Sequence, residues 1–139
     1  MGDMQLGNYK DVALYKLDRA KDELETAQIL FSVGKYKAAN NRAYYACFHA
    51  VNGVLALEPI AFKKHKDVLA YFNKQYVHTE IFPRDLGRKI SRLEIIRHKS
   101  DYDDFYIASK EEASEQIEIG KMVVGLIEIY ILEQTETNE

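Results

Sequence analysis

Arg42, Tyr45 and His49 are the side chains of this sequence best placed to do chemistry. They fall at i, i+3 and i+7 of a proline-free apolar run, so on a helix turning about 100° per residue they form one stripe. A guanidinium grips carboxylate or phosphate, and a phenol and an imidazole exchange protons and hydrogen bonds. The other positions of the run, Ala39, Ala43, Ala46, Ala50, Val51, Val54 and Leu55, ask for burial. Buried arginine is costly unless paired and hydrogen-bonded. Either a carboxylate from elsewhere meets Arg42, or the stripe opens onto a cleft.

A second polar group is Arg97-His98-Lys99-Ser100-Asp101-Tyr102. If helical geometry persists there, Arg97 and Asp101 are i, i+4 neighbours; if it breaks, Asp101, Asp103 and Asp104 hang at the end of the bundle. The expectation is that Arg42 or Arg97 pairs with Asp101 across the second and fourth helices, the Tyr45 and Tyr102 hydroxyls completing the hydrogen bonds. His65 is a third candidate, whose plain reading is a cap or surface imidazole. His49, His65, His78 and His98 lack the close spacings of zinc-binding helices, so neither a metal nor a cofactor is expected. The seven glycines are scattered, with no phosphate-binding loop among them. Cys47, the single cysteine, sits mid-helix among small residues and reads as a small buried hydrophobe.

Helices must position these groups. From about Tyr9 to Val33, Ala13, Leu17, Ala20, Leu24, Ala27 and Phe31 give a 4-3-4-3-4 seam, with Lys16, Arg19, Asp22, Glu23 and Glu25 on the charged face. Gly34 stops that helix, and so short a joint folds the central helix, Ala38 to Leu57, back against it. Pro59 ends the central helix. A shorter helix is expected from about Lys64 to Tyr76, then a loop over 77–82. A fourth helix follows from Pro83 to about His98 along Leu86, Ile90, Leu93 and Ile96. The acidic, aromatic stretch 100–107 is expected to break the helical path. Ser109 with Glu112 fits a capping box opening a last long helix. There Ala113, Ile117, Gly120, Val124, Ile127 and Ile131 repeat the seam, while Met122, Val123, Leu126 and Ile129 widen the apolar face enough to suggest a partner chain or a bundle-central position. Residues 1–8 and 134–139 read as frayed ends.

With 139 residues and no internal repeat or linker, residues 1–139 form one all-α domain, an up-down bundle of four to five helices. A net charge of −3 argues against a broad electrostatic grip on nucleic acid, so any such binding needs a local basic patch. No run resembles a signal peptide or approaches the roughly 20 apolar residues of a membrane span, so the expectation is a cytoplasmic protein with no membrane partner.

The run Asn41-Arg42-Ala43-Tyr44-Tyr45-Ala46-Cys47-Phe48-His49-Ala50, followed by Lys64-His65 and then by Arg97 ahead of Asp101-Tyr102, resembles the HEPN (higher eukaryotes and prokaryotes nucleotide-binding) domain family in its Arg-x-x-x-Asp-Tyr form. The resemblance covers about Tyr9 to Ile131. It implies an all-α bundle, usually a homodimer, often paired with a minimal nucleotidyltransferase as toxin and antitoxin. Many members of the family are metal-independent endoribonucleases acting on RNA at the dimer cleft.

Ribonuclease members carry an arginine, a short polar spacer and a histidine in the late helix, the arginine holding phosphate and the histidine moving a proton. Here the matching arginine is Arg97, but Asp101-Tyr102 stands where His-x-Tyr is expected. His98, directly after Arg97, is rotated 100° away on a helix. A substitute set of His49, Arg97 and Tyr102, with Arg42, Tyr45, His65 and Asp101 binding ligand or phosphate, has the base, acid and cation that cleavage through a 2′-hydroxyl needs. Three readings compete: a nucleotide- or RNA-binding partner of a nucleotidyltransferase, a metal-independent endoribonuclease toxin, and an interaction module whose polar network only sets helix register. Burial of the network separates them.

Overall fold

A computed structural model describes the backbone of residues 2–58 and 65–137 and the side chains of residues 9–58 and 67–136. Helix α1 spans Gly2–Ser32, beginning well before the Tyr9 start expected from the seam. Ala13, Leu17, Ala20 and Ala27 are buried along it, as the spacing requires. Gly34 ends the hairpin in the left-handed region at φ 81°, which glycine enters without a Cβ clash. The amides of Gly34 and Lys35 then donate back to the Phe31 and Leu30 carbonyls at 3.1 and 2.8 Å.

Helix α2, Tyr36–Leu55, is the centre of the bundle and touches α1 and each of the helices that follow: α3, His65–Phe72; α4, Asp85–Tyr102; and α5, Lys110–Thr137. Its alanines allow this. Ala39, Ala43, Ala46 and Ala50 are wholly buried, and so short a side chain lets neighbouring helices approach on three sides. Two glycines mark the tightest approaches. A Cβ at Gly53 would stand 3.0 Å from Ile131 Cδ1 and 3.2 Å from the Ala13 carbonyl oxygen. One at Gly120 of α5 would stand 3.1 Å from Leu24 Cδ2.

Several boundaries differ from the sequence expectation. Helix α2 stops at Leu55; Pro59, Ile60 and Lys64 lie outside the described residues. Helix α3 gives way at Phe72 to a π-turn, Asn73–Val77, which keeps both Tyr76 and Val77 buried. Glu58 latches this segment to the end of α2 by accepting hydrogen bonds from the Tyr71 hydroxyl, at 2.9 Å, and from the Tyr76 hydroxyl. Helix α4 begins after Pro83 and runs past His98 to Tyr102, because nothing before Asp103 interrupts its backbone ladder; the Ser100 hydroxyl donates to the Ile96 carbonyl within it. Asp103 then turns extended, and its carboxylate accepts from the Phe105 amide at 3.0 Å. Half of the expected capping box forms, with the Glu112 amide donating to Ser109 Oγ at 3.0 Å. The Glu112 carboxylate is engaged elsewhere, accepting from the Tyr106 hydroxyl and facing Arg92 at 3.7 Å. Helix α5 continues through most of the polar tail to Thr137. On its outer side Met122 and Ile129 stay exposed while Val123 is buried, so part of the wide apolar face is left uncovered within this chain. No strand occurs among the described residues.

The packing around Gly53 generates a test. On helix propensity alone Gly53→Ala gains about 1 kcal/mol. The Ala13 carbonyl belongs to a packed helix and cannot retreat cheaply, so overpacking outweighs that gain and the variant loses about 1–2 kcal/mol net in urea unfolding.

Candidate functional site

Because α2 is packed on most of its circumference, its polar stripe emerges where α1 and α4 flank it. Arg42 Nη1 donates to both carboxylate oxygens of Glu23 on α1, at 3.2 and 3.0 Å, and its guanidinium lies 5.1 Å from the Tyr45 ring centre. Arg97 approaches the same ring from α4. Its Nη2 donates to the Tyr45 hydroxyl at 3.0 Å, its Nε lies 3.2 Å from Asp101 Oδ2, and its guanidinium sits over the Tyr44 ring at 5.2 Å. Tyr45 is thus flanked by two guanidiniums, each balanced by one carboxylate.

Of the two arginines expected to meet Asp101, Arg97 does so and Arg42 does not, and the pair lies within α4 rather than across helices. Since α4 persists to Tyr102, Asp101 sits one turn beyond Arg97 on its own helix and pairs with it there, leaving Glu23 to meet Arg42. The bridge between α2 and α4 is the Tyr45 hydroxyl instead. Tyr102 contributes its ring rather than a hydroxyl bridge, with Arg97 5.9 Å from its centre; the residue is 67 % exposed. His98 is nearer the site than a 100° rotation suggests. Its ring meets Tyr102 edge to face at 4.9 Å, and with Arg97 it lines a surface hollow of about 400 Å³ bounded by Glu94, Ile95 and Lys99. His65 opens α3, and its side chain lies outside the described residues.

Burial here is partial. The side chains of Arg42, Arg97 and His49 are 34 %, 21 % and 14 % exposed. His49 Nε2 lies 3.8 Å from Glu23, too far for a hydrogen bond, and its Nδ1 is buried without a hydrogen-bond partner among the described residues. Burial lowers its pKa, the Arg19 charge lowers it further, and Glu23 acts in the opposite sense. Neutral imidazole is therefore the favoured form. Burial and the Glu94 carboxylate push the Cys47 thiol up to about 12, so Cys47 is inert packing, as its neighbours implied. Among the described residues no cluster of three His, Cys, Asp or Glu side chains could hold a metal ion, and no helix is long and apolar enough to cross a membrane.

Sequence reading missed Glu23 and Tyr44. Glu23 was placed on the solvent face of α1, yet it follows Ala20 by three residues and precedes Ala27 by four, so it borders the buried seam. Tyr44, 1 % exposed, is the buried half of the platform beneath Arg97.

Comparison with known proteins places these residues in a wider context. The family model described as the HEPN domain matches residues 13–130. A UPF0332 protein of Thermotoga maritima is 31 % identical over 110 residues, spanning 79 % of this chain and 83 % of the relative. A Methanocaldococcus jannaschii protein provisionally named a toxin is 32 % identical over 111 residues, spanning 80 % of this chain and 82 % of the relative. Among solved structures, a Thermus thermophilus protein superposes with a TM-score of 0.69 at 22 % identity, covering 84 % of this chain and 95 % of the other. An archaeal HEPN homologue gives the same score at 20 % identity, covering 86 % and 97 %. At these identities the two structures speak to the fold alone.

The His49 environment has a measurable consequence. A histidine whose folded pKa lies below its unfolded value of 6.5 contributes stability that is full above that pH and is lost as pH falls toward the folded pKa. Glu23→Gln removes the carboxylate favouring the imidazolium, so His49 should titrate lower still, as followed by NMR of its ring protons. An upward shift in the variant would show that Glu23 does not act on this imidazole.

Proposed function

The chain belongs to the HEPN domain family, and on that premise we propose that it binds nucleotide or RNA through phosphate at the seam of α1, α2 and α4, as one component of a toxin–antitoxin type pair. The observation that carries this is the placement of the Arg42 and Arg97 guanidiniums on either side of Tyr45, both open in part to solvent. A closed network serving helix register alone has no use for a one-third-exposed arginine; an anion site does. Glu23 and Asp101 hold the two guanidiniums in place and would be partly displaced in favour of phosphate, with Tyr45 as the shared hydrogen-bonding wall. The toxin name carried by relatives supports the pairing, and a minimal nucleotidyltransferase is the proposed partner. Exposed Met122 and Ile129 on α5 support a homodimer.

A second reading, metal-independent endoribonuclease, is favoured by His49. An imidazole kept neutral beside two arginines can accept the 2′-hydroxyl proton, with Arg97 on the phosphate and Tyr102 as the other proton carrier. His98, sharing the hollow with Arg97, is an alternative proton carrier.

Titration with a short single-stranded RNA and with ATP tests the first reading. Two phosphate contacts at roughly 0.7 each give a salt slope of about −1.4, and Arg97→Ala should weaken binding and reduce that slope by about 0.7. Equal affinity for wild type and variant removes Arg97 from the site. For the second reading, incubation of a mixed RNA pool with chelator should give cleavage that His49→Ala abolishes; intact RNA and unslowed growth on induction would dismiss it.

A further inference from the structure

Toward the N-terminal end of α4, against α3 and the π-turn, lies a trough that the proposed activity does not use. Its floor is set where α4 crosses the π-turn. A Cβ at Gly87 would stand 2.8 Å from Asn73 Oδ1, so only a glycine lets the Asn73 amide lie against the helix there. On one side of this crossing is a hollow of about 580 Å³ bordered by His78, Arg84, Arg88 and Ser91. On the other is one of about 290 Å³ bordered by Leu69, Phe72, Ile90 and Glu94. Asn73, Gly87 and Ser91 border both, so the two are halves of one trough, cationic and hydroxylic at one end and mostly apolar at the other.

The backbone around the cationic half is unusual in two respects. The His78 amide donates to the Asn73 carbonyl at 2.9 Å, an i to i+5 bond of the kind that recurs at functional sites. Glu80, just beyond it, holds φ 64° without being glycine, a strained conformation that surrounding structure must hold in place. Both features shape the short link that carries His78 to the trough and leads into Arg84. Glu80 faces Arg84 at 3.0 Å and Asp85 faces Arg88 at 3.8 Å, but all four side chains are more than half exposed. Such pairs are weak and exchange partners readily.

We propose that this trough binds a small organic phosphate ester, its anionic head on His78, Arg84 and Arg88 and its apolar or aromatic body against the edges of Leu69 and Ile90 that reach the surface above the buried Phe72. Two guanidiniums and the imidazole of His78, whose Nε2 lies 3.4 Å from the Asn73 amide, border one hollow and offer several donors to a tetrahedral dianion, and the Ser91 hydroxyl adds another at the junction. The Glu94 carboxylate at the far end disfavours a second anionic group there, so the ligand is charged at one end only. The trough's cations are separate from Arg42 and Arg97, and this site stands whether or not the seam binds RNA.

Phenyl phosphate is the probe, followed by backbone amide shifts on the full chain. Expected are shifts at residues 73, 78 and 84–91, with affinity about tenfold above that of either inorganic phosphate or phenol. Binding should fall at least about tenfold in Arg84→Ala/Arg88→Ala and severalfold in Gly87→Ala, and persist in Arg97→Ala. Gly87→Ala folds, since the displaced atom is the end of the Asn73 side chain, and it pushes that amide into the trough. Shifts confined to residues 42–49 and 97–102, inorganic phosphate binding as tightly as its phenyl ester, or indifference to the arginine substitutions would each overturn the proposal.

Discussion

A helix packed on nearly every side can carry polar groups only where its neighbours leave a gap, and in this protein that constraint decides where chemistry is possible. Helix α2 is enclosed by α1, α3, α4 and α5 because its alanines and Gly53 admit close backbone approach. Arg42, Tyr45 and His49 consequently emerge together between α1 and α4. Their charges cannot be left uncompensated there, and each neighbouring helix supplies a carboxylate: Glu23 for Arg42, and Asp101, by way of Arg97, for the far side of Tyr45.

The same constraint explains why Tyr45 is the centre of the site. Its ring lies beside both guanidiniums, and its hydroxyl accepts a hydrogen bond from Arg97 that joins α2 to α4. Bridging α2 and α4 by a hydroxyl rather than an ion pair leaves Arg97 less tightly committed than Arg42, which Glu23 holds across α1 and α2. An arginine bonded to a neutral phenol and an i+4 carboxylate keeps donors available for an anion, which a fully buried, fully paired guanidinium does not. Polar groups elsewhere are used for fastening. Glu58 ties the π-turn to α2, and Tyr106 ties the 103–109 connection to α5 through Glu112 while accepting from the buried Asn40 amide at 3.3 Å.

Among the fastening groups, Asn40 and Tyr76 are buried and fix one arrangement of helices. The seam groups are partly open, and the phosphate reading depends on that opening. The trough at the N-terminal end of α4 follows a third pattern, in which shape comes from a glycine crossing and charge from exposed, loosely paired arginines.

Much of this was legible in the sequence because helical periodicity is local. The seams of α1 and α5, the Gly34 stop, the antiparallel hairpin, the all-α class and the shared face of Arg42, Tyr45 and His49 all follow from residue spacing, and the Asn41–Ala50 run with Arg97 and Asp101-Tyr102 pointed to the HEPN family. Which of the offered partners each charge would find was not legible. The spacing allowed Asp101 either a cross-helix partner or Arg97 one turn away, and the continuation of α4 to Tyr102 selected the second. Glu23 looked like a solvent-facing acid until the packing of α1 on α2 brought it over Arg42. Spacing within a helix is dictated by covalent geometry and is present in the chain; pairing between helices is settled by which backbones can approach, and only the tertiary structure decides that.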